Sequence, residues 1–149
     1  MVLVDIENLA GTASPTSAQV EAVIATLGEV VPGFGEAQRV VACSHRAART
    51  VAFACPMARH LWRSGPDGAD LALLEILEDE HVADRFEFVT ICSGGGIFSA
   101  VAARLAEQGV DMTVVALKGN LAARLELAAR RIAYLPPAAA ALAPTGSAN

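Results

Sequence analysis

The chain has 149 residues, of which 54% are hydrophobic and 18% charged, which fits one globular domain and excludes a disordered chain or two domains of ordinary size. Its net charge of −5 excludes indiscriminate nucleic-acid binding over the whole surface, and no apolar run approaches the ~18 residues of a bilayer span, so no membrane partner is expected. The opening reads as a strand rather than a secretion signal, and Cys43, Cys55 and Cys92, widely spaced and odd in number, fit buried thiols of a reducing cytoplasm better than a disulfide frame or zinc site.

Met1-Val2-Leu3-Val4 is a continuous apolar run that ends at Asp5, the pattern of a central strand covered on both faces. Gly11 to Pro15 is a loop. Thr16 or Ser17 can cap a helix whose apolar positions are Val20, Val23, Ile24 and Leu27. Pro32-Gly33-Phe34-Gly35 breaks it. Arg39 to Cys43 is the second strand, Ala47 to Ala54 a short helix, and His60-Leu61-Trp62 a brief third strand. The turn Ser64-Gly65-Pro66-Asp67 starts a helix running to about His81, and Phe86 to Cys92 is the fourth strand. Ile97 to Gln108 is a helix stopped by Gly109. Val110 to Leu117 is the fifth strand, Leu121 to Ala129 the last helix, and Ile132 to Leu135 a short sixth strand. Residues 1–135 form the domain; 136–149, rich in Ala and Pro, carry no core pattern and read as a mobile tail. Ten of the eleven basic residues are Arg and the chain is rich in Ala and Gly, a bias that suggests a GC-rich bacterial genome.

Alternation of strands and helices with short connections predicts an α/β fold, a mostly parallel sheet of five to six strands with helices on both faces. Right-handed crossovers put every strand-to-helix loop on one rim, the edge where open α/β sheets hold ligands. Those loops contain Asp5 to Asn8, Ser44-His45-Arg46, Arg63-Ser64, Ser93-Gly94-Gly95-Gly96 and Lys118-Gly119-Asn120. Acids at the centre with His45, Arg46, Arg63 and Lys118 around them suit an anionic polymer that meets a metal ion. Glu7 is expected to face solvent. Arg124, Arg130 and Arg131 read as a solvated face, and Trp62 as a core residue, with stacking on a base as the alternative.

Asp70 is placed by helical spacing. At ~100° per residue, Leu73, Leu74 and Leu77 fall within a quadrant of it, whereas Glu75 and Asp79 lie opposite. An acid on the sheet-facing stripe is costly unless it is paired or binds a cation. The competing reading is helix capping, for Asp67 as well as Asp70. Gly94, Gly96 and Ser99 loosely echo a dinucleotide fingerprint, but they follow the fourth strand rather than the first.

Three segments together, VLVDIENLAG, GPDGADLALLEIL and SGGGIFSAVAARLAEQGVDMTVVAL, resemble the NYN domain family, a branch of the PIN-like metal-dependent ribonucleases. The resemblance runs from Met1 to about Leu135. It implies a three-layer α/β/α PIN-like (Rossmannoid) sheet of order 3-2-1-4-5, and carboxylates that hold Mg²⁺ or Mn²⁺ for hydrolysis of RNA phosphodiesters. By position, Asp5 corresponds to the first-strand acid, Asn8 to the amide that orders the site, Asp70 to the helix acid and Ser93 to the serine after the fourth strand. Ser93, Gly94 and Gly95 would then contact substrate with the rim cations. The family pattern Ser-Gly-Asp-x-Asp-Phe is here Ser93-Gly94-Gly95-Gly96-Ile97-Phe98, so two acids are replaced, by Gly95 and Ile97. Weak metal binding and attenuated or absent cleavage are therefore expected. The alternative is an inactive RNA-binding or protein-interaction module of the same fold. The Ala-rich helices and small net charge also allow a homodimer.

Overall fold

A computed structural model of the chain describes residues 1–136; all but the first residue of the expected tail lies outside them. In chain order the elements are β1 (Val2–Asp5), α1 (Ile6–Ala10), α2 (Ser17–Val30), β2 (Arg39–Cys43), α3 (Ala48–Ala54), β3 (Arg59–Trp62) and α4 (Gly68–Asp79). Then come α5 (Val82–Arg85), β4 (Phe88–Cys92), a 3-10 turn (Gly96–Phe98), α6 (Ser99–Glu107), β5 (Asp111–Leu117), α7 (Ala123–Ala128) and β6 (Arg131–Leu135).

The six strands form one sheet of order β3-β2-β1-β4-β5-β6, parallel throughout. The expected order 3-2-1-4-5 is met, with β6 added beyond β5. Strand alternation sorts the core into two layers. Leu3, Val40, Ala42, Val89 and Ile91 face the helices α4, α5, α6 and α7. Val2, Val4, Val41, Cys43 and Cys92 face α1, α2 and α3. Full burial of side chains such as Leu3, Leu27, Leu73 and Phe98 contributes about 1.5–3 kcal/mol each relative to exposure, and both layers draw on it.

Several local readings are corrected. The stretch after Asp5 forms α1, ended by Gly11 in the left-handed region at φ 68°. The helix expected to reach His81 stops at Asp79, and His81 at φ 51° separates it from α5. The helix expected from Ile97 is divided into the 3-10 turn and α6. Trp62 is not a core residue: on the edge strand β3 it is 36% exposed and stacks on His60 with ring centroids 5.0 Å apart. No helix among the described residues is long and apolar enough to cross a membrane.

Candidate metal centre

The parallel register sets Asp5 level with Ala42 and Val4 level with Cys92, so the residues ending β1, β2 and β4 share one margin of the sheet. Asp5 follows Leu3 in the alternation, and Ser93 follows Ile91. Leu3 and Ile91 both lie in the α4-side layer, so Asp5 and Ser93 point toward α4. Asp70 lies one turn into α4 on the stripe of Leu73 and Leu77, which are buried, and points back at the same margin. The carboxyl groups of Asp5 and Asp70 come within hydrogen-bonding reach of each other.

Each acid is held by neighbours that the sequence reading placed here. Asp5 caps α1, its Oδ1 accepting from the Asn8 amide N–H at 3.1 Å. Asn8 Oδ1 in turn accepts from the Gly94 N–H at 3.2 Å, which ties the end of β1 to the loop after β4. Ser93 is fully buried. Its Oγ donates to Asp70 Oδ1 at 3.3 Å and accepts from the Gly95 N–H at 3.2 Å. Asp70 is also the acid in the first turn of α4, where it complements the helix dipole. Asp67, in the left-handed region at φ 53°, makes no side-chain cap bond.

Burial pushes the Asp5 carboxyl up to about 8. The hydrogen bond with Asp70 and the charges of Asp70 and Glu7 add to that rise, while the Asn8 N–H opposes it. Two carboxyl groups sharing a poorly solvated space favour a proton between them or a cation. Beside them lies a cavity of about 210 Å³ lined in part by Asp5, Glu7, Asn8, Ser44, Arg63 and Asp70.

Glu7 does not face bulk solvent as expected. It crosses to the end of β2, where Oε1 accepts from Ser44 Oγ at 2.6 Å and from the Ser44 N–H at 3.2 Å. The rim cations are less uniform than the sequence suggests. Arg63 reaches the cavity edge but pairs with Glu75 at 2.5 Å. His45 is exposed, with Nδ1 2.9 Å from Ser64 Oγ. Arg46 and Lys118 are exposed on the rim and do not line this cavity. Arg130 and Arg131 pair with Asp111 at 3.6 and 2.7 Å. Arg124 lies against the glycine loop: a Cβ at Gly96 would be 2.6 Å from its Nε.

The positions of the replaced acids differ in kind. A Cβ at Gly95 would stand 3.0 Å from Asp70 Oδ2 and 3.4 Å from Ser93 Oγ, so a side chain there would enter the site. Ile97 is half-buried and packs on the α4-side core. Among the described residues, no three His, Cys, Asp or Glu side chains converge as a ligand set. Asp5 and Asp70 are thus a two-carboxylate donor set. That fits one Mg²⁺ or Mn²⁺, which often takes one or two carboxylates and completes its shell with water and substrate phosphate; it does not fit a two-metal centre.

Fold and site together define an all-parallel α/β protein in which a buried Asp5 and a half-buried Asp70 meet at the carboxyl margin of its central strands. A solved structure of similar fold is that of a protein of unknown function from Vibrio parahaemolyticus, 17% identical over 91% of each chain with a TM-score of 0.62. That likeness extends to the fold alone. No protein-family model matches the sequence, and no curated protein is detectably similar to it.

Proposed function

We propose that this chain is a metal-assisted ribonuclease-like domain of the NYN and PIN-like kind, with attenuated hydrolysis of RNA phosphodiesters. The observation that carries this reading is the burial of Asp5 within hydrogen-bonding reach of Asp70. Two acids in that position, on elements far apart in sequence, serve no packing purpose that a neutral residue would not serve better. The order of the three sequence segments supports the same reading.

In this reading Asp5 and Asp70 hold one Mg²⁺ or Mn²⁺. The bound ion would offset charge on a phosphodiester and lower the pKa of a coordinated water. Asn8 fixes Asp5 through its backbone N–H and fixes the Gly94 loop through its side chain. Ser93 aims Asp70 by donating to one carboxylate oxygen. With no acid at residue 95, the glycine loop offers no carboxylate beside Asp70 to position an attacking water, and Glu7 is held by Ser44. A slow reaction is the consequence.

The test is incubation of the purified chain with Mn²⁺ and a labelled single-stranded RNA, beside the Asp5→Asn, Asp70→Asn and Gly95→Asp variants. Slow cutting by the wild type, lost in both Asn variants and raised in Gly95→Asp, is the expected result. The second reading, a binding module without hydrolysis, is favoured by the two-carboxylate limit of the site. It is the outcome if no variant cuts and RNA is bound equally with and without EDTA.

A further inference from the structure

Arg124 is placed by features that its sequence context does not reveal. Its guanidinium rests on bare backbone at Gly96, where a Cβ would stand 2.6 Å from Nε and 2.9 Å from Nη2. The loop beneath it is pinned from α7's own approach. The Ala122 N–H donates to the Gly94 carbonyl at 3.0 Å, and a Cβ at Gly94 would collide with the Asn120 carbonyl oxygen. Loop and arginine are therefore held together as a unit. Arg59, Arg63, Arg85, Arg130 and Arg131 each pair with a carboxylate; Arg124 has no such partner among the described residues. It is exposed on the rim.

The adjacent residue, Gly95, faces Asp70. Chain geometry across these two residues keeps the Arg124 guanidinium within ~12 Å of the Asp70 carboxylate, a span that a dinucleotide covers. A centre with two carboxylates holds a single ion, whereas phosphoryl-transfer sites stabilise the spread charge of the reacting phosphate with more than one cationic group. Arg is suited to this place because its planar fork meets phosphate oxygens in pairs and stays charged at any working pH.

We propose, resting on the ribonuclease-like reading above, that Arg124 is a phosphate-holding residue of this site, seated over Gly96 to grip the RNA backbone beside the ion held by Asp5 and Asp70. Glycine at residue 96 is part of the device. A side chain there would push the guanidinium off the loop without disturbing the core.

Fluorescence anisotropy with a short labelled oligouridylate tests this, with Ca²⁺ replacing Mg²⁺ or Mn²⁺ across a salt series. Arg124→Ala is expected to weaken binding about tenfold and to reduce the slope of log affinity against log salt by about 0.7, the value for one phosphate contact on a single strand. Arg124→Lys should keep most of the slope. Gly96→Ala should weaken binding in the same direction as Arg124→Ala with the arginine still present. Mn²⁺ affinity by calorimetry should be unchanged in all three. Wild-type affinity and slope in Arg124→Ala would overturn the assignment, as would a wild-type chain that binds no oligouridylate. If the wild type binds no Mn²⁺ yet Arg124→Ala still loses affinity and slope, the metal-assisted reading fails and the phosphate assignment stands.

Discussion

Replacing Asp5 with Asn separates the cost of the buried acid from the rest of the fold. Asn is nearly isosteric. Its Oδ1 can keep accepting from the Asn8 N–H, and its Nδ2 can donate to Asp70 where two carboxylates would otherwise repel. In the metal-free wild type, the folded state keeps a proton on Asp5 up to about pH 8, whereas the unfolded chain releases it near the ordinary Asp value. Stability from this group is therefore fully present below the unfolded pKa and declines as pH rises toward the folded one. Between about pH 5 and pH 8 the expected loss is on the order of 3 kcal/mol, or roughly 10 °C in Tm for a chain of this size. Thermal melts of wild type and Asp5→Asn in EDTA measure it. The variant should match the wild type below about pH 4, and its lead should grow by about that margin between about pH 5 and pH 8. Saturating Mn²⁺ at ~100 times Kd should return about 2.7 kcal/mol to the wild type alone. A flat wild-type profile, with Asp5→Asn no more stable at the alkaline end, would refute the argument that Asp5 is buried against Asp70.

Gly95→Asp places a third carboxylate beside Asp70 Oδ2; calorimetry should show Mn²⁺ affinity raised about tenfold, ~1.4 kcal/mol, with a lower Tm in EDTA from like-charge crowding. Phe98→Ala empties a fully buried position and should cost about 3–5 kcal/mol, seen as a lower urea midpoint at unchanged m-value. Burial pushes the Cys43 thiol up to about 12 and that of Cys92 higher still. A thiol reagent at about pH 8 should therefore react with neither in the native protein and with both in urea.

The sheet was legible because β1 is an apolar run up to Asp5 and β2, β4 and β5 are mostly apolar, while the helices between them carry an apolar stripe. The Val2–Val4 run marked a central strand, and it lies between β2 and β4. Asp70 could be aimed from spacing alone, since Leu73 and Leu77 fix which side of α4 meets the sheet. Other features arise only from tertiary approach. The five residues of α1 are too few for a helical period, so the turn that swings Glu7 onto Ser44 left no pattern to read. Arg63 met Glu75 because β3 runs alongside α4, and no local motif marks that pairing. Trp62 is half-covered because β3 is an edge strand. Arg124 depends on α7 crossing the glycine loop, a contact between segments whose sequences do not advertise one another. The site's acids announced themselves by being misplaced on apolar elements; its cations, ordinary on any surface, did not.

The central claim is that Asp5 and Asp70 share one divalent cation. Anomalous diffraction at the manganese edge, from crystals soaked in Mn²⁺ above about pH 8, addresses it directly. The account predicts a single peak bridging the two carboxylates, absent in Asp70→Asn crystals treated alike. A peak bound elsewhere, or none while both side chains keep their present positions, would contradict it.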